Sequence, residues 1–354
     1  MSSPTATATT TPSPSMLIRT YTVLLSLIDP WLFLSVSLRF IPQTISHILS
    51  TLPPLTALHT LLLSPSRFRE AWFGQFWAYA GPRIRENAGP RVVLPLLDGR
   101  VTGGKVVEGK AVNKGVGGVV LEIGAAQGLW VNVFSDRYLY EDGDVMGAAV
   151  AGDQKSVSEG ARKGEGRTKR PNTARTPVTH VYGVEPNPSH HAALRQAIVA
   201  AGLEDVYEIV PVGIEDLSSS PAFPSPTTSN GGKSKNKKWD GNISPGSVDC
   251  IVSVLCLCSI PDPEQHIREL YALLRPGGRW YCFEHVRNDY NWFMRLYQRF
   301  VNLAWPHLIG GCQLCRPTEK TLREAGPWTS IDVGHPDDEL WHHTVPHILG
   351  VFTK

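Results

Sequence analysis

One acidic residue and three small residues follow an apolar run in the first half of the chain. The run at residues 119–121 leads into Glu122, and Gly124, Ala126 and Gly128 then follow at alternate positions. This pattern predicts a buried parallel strand, then a tight turn, then a helix whose first N–H groups lack partners inside the helix. Small residues let a ligand approach the backbone closely. We therefore expect a ligand site at the end of this strand.

The charge of Glu122 indicates which kind of ligand the turn receives. A dinucleotide-binding turn reads Gly-x-Gly-x-x-Gly and directs a helix N-terminus at a pyrophosphate. Here an acidic residue lies two positions before Gly124, where it repels an anion and attracts a cationic amino group. S-adenosylmethionine carries such a group on its methionine half, so the turn favours this cofactor over a nicotinamide dinucleotide.

The next predicted strand also ends in an acidic residue. It leads into Glu185, with Asn187 two positions further on. In doubly wound folds an acid at this place accepts hydrogen bonds from ribose hydroxyl groups. Glu185 follows Glu122 by 63 positions, whereas about 20 is usual. A low-complexity insert predicted at about 138–176 accounts for the excess.

Two later strand ends complete the candidate site. The third predicted strand leads into Ile214 and Glu215, and an acidic turn here suits the amino group of an adenine. The fifth ends at Glu284 and His285. We assign His285 as the base or as the residue that orients the substrate; the alternative is a histidine that only bonds to a neighbouring loop. Glu284 is expected to pair with loop amides.

The elements between these residues predict the fold class. Strands and helices alternate from residue 119 to the end, which is typical of an α/β, doubly wound, mostly parallel sheet with ligands at the strand ends. We predict one domain over 119–354 with disordered inserts at about 138–176 and 218–245. The net charge of +2 over 354 residues gives no support for a nucleic-acid surface.

The N-terminal region has a different character. Residues 1–15 are almost entirely Ser, Thr, Pro and Ala and are predicted to be disordered. Residues 16–64 are strongly apolar and are predicted to anchor the protein to a membrane surface. Asp29 and Pro30 interrupt the first apolar run, because a carboxylate at mid-membrane costs about 2.5–3.5 kcal/mol and proline breaks a helix. We therefore expect two short helices there; helices packed onto the domain are the alternative.

Residues 65–118 are predicted to join this anchor to the domain. Aromatic residues at spacings of three and four predict a helix over 67–85 that covers the domain or forms a lid on the cofactor pocket. The remainder, 86–118, is rich in Gly, Val and Lys and is expected to be a variable connection.

The cysteine pattern predicts no metal. Cys312 and Cys315 form a lone Cys-x-x-Cys, without the second pair that a structural zinc site needs. Cys256 and Cys258 are expected to share one face of the fourth predicted strand and are assigned to the core. The four cysteines in or near apolar runs are expected to be buried free thiols, and the compartment is expected to be reducing.

Four motifs, taken together, resemble a known family. Leu-Glu-Ile-Gly-Ala-Ala-Gln-Gly, Gly-Val-Glu-Pro-Asn, Gly-Ile-Glu-Asp and Leu-Leu-Arg-Pro-Gly-Gly occur in the order typical of class I S-adenosylmethionine-dependent methyltransferases. Phe-Glu-His-Val, Gly-Cys-Gln-Leu-Cys-Arg and Pro-His-Ile-Leu-Gly are similar to the methyltransferase-like seven group, membrane-associated enzymes linked to thiol S-methylation.

The resemblance implies a seven-stranded Rossmann-like sheet and S-adenosylmethionine as cofactor. It also implies a small lipophilic acceptor, a thiol first, and a membrane-associated protein at the endoplasmic reticulum or lipid droplet with its catalytic domain facing the cytosol. By this resemblance, Glu122, Gly124, Ala126 and Gly128 would hold the methionine end of the cofactor. Glu185 would hold the ribose, with Asn187 in the neighbouring turn. Ile214 and Glu215 would flank the adenine. Ala126 departs from the family, which commonly has glycine there.

Three functional hypotheses remain open from the sequence. The first is a methyltransferase acting on a thiol or, alternatively, on a quinone or lipid. The second is a nicotinamide-dependent dehydrogenase, which the charge of Glu122 disfavours. The third is a membrane-associated interaction protein that binds the cofactor poorly, for which Ala126 and the inserts are the support. The sequence leaves the acceptor and the oligomeric state open.

Overall fold

A computed structural model describes residues 16–136, 138, 173–217 and 239–354. The predicted tail over 1–15 and most of both predicted inserts lie outside these residues. The C-terminal edges of the inserts are packed, contrary to the prediction. Arg175 is buried against Asp98, with 2.7 Å between Nε and Oδ1, and the buried Trp239 donates a 2.8 Å hydrogen bond to Glu208. Apolar and paired side chains therefore extend the core beyond the expected boundaries.

The core is one mostly parallel sheet of seven strands in the order β5-β4-β3-β6-β7-β9-β8. β3, β4, β5, β6 and β7 run parallel, and β9 pairs antiparallel with both β7 and β8. A separate hairpin, β1–β2, precedes the sheet. The predicted fold class is confirmed. The strands are β1 Val101–Thr102, β2 Lys105–Val106, β3 Gly118–Ile123, β4 Val178–Val184, β5 Tyr207–Val210, β6 Val248–Val254, β7 Leu274–His285, β8 Ser330–Gly334 and β9 His347–Thr353.

Helices flank the sheet and build an N-terminal layer. Apolar strands buried on both faces require such cover. The α-helices are α1 Met16–Leu38, α2 Ile41–Thr51, α3 Pro54–Leu63, α4 Pro65–Ala88, α5 Leu94–Leu97, α6 His191–Ala201, α7 Pro263–Leu273, α8 Trp292–Val301, α9 Trp305–Leu308 and α10 Thr318–Arg323. A π-helical turn, Gly89–Val93, joins α4 to α5, and 3-10 turns occur at Val131–Phe134, Pro188–His190 and Ile214–Asp216.

The helix α1 passes through Pro30 without a break, so the prediction of two helices meeting there was wrong. Proline has no N–H and leaves the carbonyl four residues earlier without its helical donor. That carbonyl belongs to Ser26, and the Thr344 hydroxyl donates a 3.0 Å hydrogen bond to it. A tertiary contact thus replaces the lost helical bond.

The same helix packs on the domain with one face and exposes the other. Ser37 donates to the Leu308 carbonyl at 2.8 Å, and Trp72 of α4 donates to the Ser37 carbonyl at 2.9 Å. On the opposite face Leu24 and Leu32 are exposed. Together, α1 and α2 provide one apolar stretch, Thr20–Thr51, long enough to cross a membrane, with a mean hydropathy of 1.6. Helix α1 therefore packs on the domain and still presents an apolar surface to the outside.

The segment after α4 is part of the core rather than a variable connection. Val93, Leu96 and Leu97 are fully buried and belong to the cluster that covers one face of the sheet. Their apolar run was visible in the sequence, but its neighbours rich in Gly and Lys hid it. The predicted helix over 67–85 is confirmed as part of α4.

Candidate functional site

A cavity of about 1070 Å³ opens at the carboxyl ends of the parallel strands. It lies where the strand order reverses around β3, which is the place where doubly wound sheets bind ligands. Helices α1 and α4 and the residues around α9 form the other walls. The volume matches the upper end of ligand pockets, so it can hold a cofactor together with a small second molecule.

The first turn of the site has three left-handed residues. Gly124, Ala126 and Gly128 have φ values of 71°, 49° and 82°. A side chain at Gly124 would place its Cβ 2.8 Å from that of Cys256, so glycine is required there. Ala126 adopts a conformation that costs an ordinary residue about 1–2 kcal/mol. Directly after Gly128, where a helix was expected to begin, the chain forms the 3-10 turn Val131–Phe134.

Glu122 lies beneath this turn rather than on the cavity wall. Its side chain is 2% exposed, and the Tyr207 hydroxyl donates a hydrogen bond to Oε2. Burial raises the pKa of the Glu122 carboxyl to about 7, against the hydrogen bond from Tyr207 that lowers it. Tyr207 reaches Glu122 across Gly183, where an added Cβ would lie 2.2 Å from the tyrosine oxygen. Direct contact of Glu122 with a methionine amino group stays a prediction.

Glu185 connects two turns at the cavity wall. Its Oε2 accepts a 2.7 Å hydrogen bond from the Ala126 N–H, and its Oε1 accepts one of 2.8 Å from the Asn187 N–H. His190 Nδ1 lies 3.3 Å from Oε1. The Asn187 side chain accepts from the Ser189 N–H at 3.0 Å and caps the following 3-10 turn. Backbone donors therefore orient the buried carboxylate on the side where a ribose is predicted.

Ile214 and Glu215 lie on the same cavity. Both belong to the 3-10 turn after β5, with Ile214 buried and Glu215 exposed. An apolar side chain beside a carboxylate offers one surface for a ring and one acceptor for an amino group. The predicted adenine contact is thus compatible with their positions.

Glu284 supports the loop that follows β6. Its carboxylate accepts from the N–H groups of Cys256 and Leu257 at 3.0 and 3.2 Å, and it is fully buried. Burial raises its pKa to about 7, while the loop amides and His285 act in the opposite direction. The predicted pairing with loop amides is confirmed.

The structure brings His285 together with two cysteines that the sequence placed elsewhere. His285 Nε2 lies 2.9 Å from Cys312 Sγ, and the Cys258 sulfur completes a buried cluster whose ligand atoms all lie within 4.8 Å of one another. The pKa of the Cys258 thiol is raised by its hydrogen bond with Cys312 and by burial. Because β6 ends at Val254, Cys258 lies beyond the strand, and the assignment of Cys256 and Cys258 to a strand face was wrong.

Two residues of α1 on the cavity wall escaped the sequence analysis. Asp29 and Phe33 line the cavity, as do Phe73 and Trp77 of α4, the helix for which a lid was one of the two predictions. Asp29 was explained only as an interruption of an apolar run. A single charge in an apolar helix is also the signal of a polar function on that helix, and this signal was available.

The chain matches a family model described as a methyltransferase domain over residues 109–326. Human thiol S-methyltransferase TMT1A is 35% identical over 113 residues, which is 32% of this chain and 46% of that protein. Human thiol S-methyltransferase TMT1B is 34% identical over 113 residues, with the same shares. The chain thus spans about half the length of the curated relatives it matches.

Solved structures show a more distant likeness. One is an S-adenosylmethionine-dependent methyltransferase from Thermotoga maritima, described as a possible histamine N-methyltransferase. It is 14% identical in sequence, and the superposition has a TM-score of 0.39 and includes 80% of this chain and 98% of that one. The family match covers more than half of the chain and agrees with the strand order and with the motifs at the strand ends, so the protein belongs to the methyltransferase-domain family.

Proposed function

We propose that the protein is an S-adenosylmethionine-dependent methyltransferase with a small lipophilic thiol as acceptor. The observation that carries the proposal is Glu185, a carboxylate held by two backbone N–H groups on the wall of a large cavity at the strand ends of a methyltransferase-family domain. The names of TMT1A and TMT1B favour a thiol over a quinone or a lipid.

The cavity suits such a transfer because its walls are largely apolar. Phe33, Phe73, Trp77 and Trp305 line it, and an apolar, water-poor wall accommodates a lipophilic acceptor. Methyl transfer from a sulfonium requires the acceptor sulfur in line behind the methyl carbon, so positioning supplies much of the catalysis. The attacking species is the thiolate, and its negative charge cancels the sulfonium charge as the new carbon–sulfur bond forms.

The test is a calorimetric titration of the full-length protein in mild detergent. We expect micromolar binding of S-adenosylmethionine and no binding of NADH, because Glu122 and the turn disfavour a pyrophosphate. Methyl transfer is then measured with matched alkyl thiol, phenol, quinone and phospholipid acceptors, and the thiol is expected to give the methyl thioether. Binding of NADH would contradict the class, and transfer only to a phenol, quinone or lipid would contradict the acceptor.

We further propose that the exposed apolar faces of α1–α3 and α8 bind a membrane surface, with the catalytic domain on the cytosolic side of the endoplasmic reticulum or a lipid droplet, as the resemblance implies. Leu55 and Leu62 of α3 are 83% and 68% exposed. Trp292 and Phe293 of α8 are also exposed, and Phe300 of the same helix contacts Trp31 of α1 with 5.6 Å between ring centroids. The exposed residues thus come from adjoining helices.

Flotation with phosphatidylcholine vesicles checks this surface. Replacing Leu55 and Leu62 together with glutamate should reduce the bound fraction by at least about tenfold, since burying one leucine side chain is worth about 1.5–3 kcal/mol. The matched control is Val199→Glu, which changes an exposed apolar residue of α6 on the catalytic domain. Equal flotation of the double variant and the control would exclude α3 from the binding surface.

A further inference from the structure

We propose that Cys258, His285 and Cys312 bind one zinc ion whose fourth coordination position faces the cavity. The three side chains come from three separate parts of the fold: the loop after β6, the end of β7 and the loop after α9. Their ligand atoms lie within 4.8 Å of one another, all three residues are buried, and all three line the cavity.

The donor set matches zinc. Two thiolates and one imidazole, with the fourth position left to water or substrate, are the ligands of one class of catalytic zinc site. Zn–S bonds of about 2.3 Å and Zn–N bonds of about 2.0–2.1 Å in a tetrahedron place sulfur and nitrogen roughly 3.6 Å apart. The contact of 2.9 Å between His285 and Cys312 is shorter, so the ion must separate the two side chains by about 0.7 Å, which a small side-chain rotation provides.

The surroundings hold these ligands in place, and one hydrogen-bond donor points at a sulfur. The Trp305 indole N–H donates to Cys312 Sγ at 3.1 Å, an interaction that strengthens when the sulfur is a thiolate. The Gln313 N–H donates to the Cys258 carbonyl at 3.0 Å, which ties the two cysteine loops together. The guanidinium of Arg316 donates to the Leu257 carbonyl at 3.0 Å and fixes the loop that carries Cys258.

His285 has an unsatisfied nitrogen in this buried setting. Its Nδ1 has no hydrogen-bond partner within the described ranges of the chain, and the residue is buried, with only 5% of its surface exposed. Buried polar atoms are nearly always paired. An imidazole whose partners are the sulfurs of Cys312 and Cys258 is placed to present a nitrogen to a cation that those sulfurs also bind.

Cys315 differs from the three proposed zinc ligands in its position. It is the near neighbour of Cys312 in the sequence and the one that a Cys-x-x-Cys motif would recruit, yet it is absent from the cluster, half-buried and apart from the cavity. The structure therefore pairs Cys312 with Cys258 and His285 across the fold, and Cys315 serves as a matched control.

The ion would activate the acceptor, and this role rests on the proposed thiol methylation. A thiol entering the fourth position binds zinc as the thiolate and releases its proton to solvent. Its sulfur then attacks the methyl carbon of the sulfonium, the carbon–sulfur bond of the cofactor breaks, and the leaving thioether takes the electron pair. The methylated acceptor is a neutral thioether, a weaker zinc ligand than a thiolate, and it dissociates.

The metal site is tested by metal content. Full-length protein in detergent, dialysed with Zn²⁺ and then against buffer, is expected to retain one zinc ion per chain by mass spectrometry. Cys258→Ser and Cys312→Ser should each lower retention at least tenfold, and Cys315→Ser should leave it unchanged. Substituting Co²⁺ should give the visible absorption of a tetrahedral thiolate site. Wild-type protein that retains no zinc, or equal retention by all four proteins, would overturn the site.

The catalytic role has a separate readout. At pH 7 a thiol with a pKa near 8.5 is about 3% thiolate, so full deprotonation by the ion accelerates transfer by up to about 30-fold. Removing the ion should reduce the rate by about 10- to 30-fold and leave S-adenosylmethionine affinity unchanged. An equal rate in the metal-free enzyme would overturn activation while leaving the proposed function intact. Failure of S-adenosylmethionine to bind either form would instead overturn the proposed function.

Discussion

Replacing Glu185 with glutamine should weaken S-adenosylmethionine binding by about 100-fold or more. Two ribose hydroxyl groups donating to one carboxylate are each worth about 1.5–3 kcal/mol, as hydrogen bonds to a charged group. Glutamine presents one acceptor oxygen in place of two and turns an N–H group toward hydroxyl donors. In addition, the N–H groups of Ala126 and Asn187 already use both carboxylate oxygens, so one of these backbone donors loses its partner.

The measurement is calorimetric titration of full-length Glu185→Gln beside wild type. Glu204→Gln is the matched control, since Glu204 is exposed after α6 and lies off the cavity. Thermal unfolding of each variant separates lost binding from lost fold, because one unpaired backbone N–H costs only about 1–3 kcal/mol. Affinity within threefold of wild type would show that the ribose is held by other residues.

The sequence predicted the sheet and one edge of the site because both depend on local signals. Apolar runs ending in Glu122, Glu185 and Glu284 marked the ends of parallel strands, and parallel strands bring their carboxyl ends to one edge of a sheet. The cavity wall contains residues from three of these strand ends. Predicting that these residues meet at one edge needs only the alternation of strands and helices along the sequence and no knowledge of tertiary contacts.

The remainder depends on contacts that spacing along the chain does not encode. Helix α1 continues through Pro30 because Thr344, near the other end of the chain, bonds the Ser26 carbonyl. Cys312 faces Cys258 and His285 because loops after β6 and α9 meet above the sheet. Spacing along the chain pairs Cys312 with its sequence neighbour Cys315, which is not part of this cluster. Long-range partners of this kind follow from the fold and not from a motif.

Replacing Glu122 with glutamine should stabilise the protein at alkaline pH by about 3 kcal/mol. The pKa of the buried carboxyl is about 7 in the folded protein, above its ordinary value of 4.5. Below pH 4.5 the group is protonated in both the folded and the unfolded chain and imposes no penalty. As the pH rises from 4.5 to 7 the unfolded chain ionises first, so stability falls, and above pH 7 the loss is complete at about 1.4 kcal/mol per pKa unit.

Glutamine at position 122 removes this pH dependence of stability because its side chain stays neutral at every pH. Its oxygen can still accept the hydrogen bond from Tyr207. Denaturant unfolding of the full-length protein at pH 4.5, 6 and 8 should therefore show wild type losing stability relative to Glu122→Gln with rising pH. The exposed variant Glu204→Gln should follow wild type. Parallel pH profiles for wild type and Glu122→Gln would mean that folding does not raise the pKa of Glu122, in which case the carboxyl would be ionised at neutral pH and its charge, rather than its bond with Tyr207, would govern the turn above it.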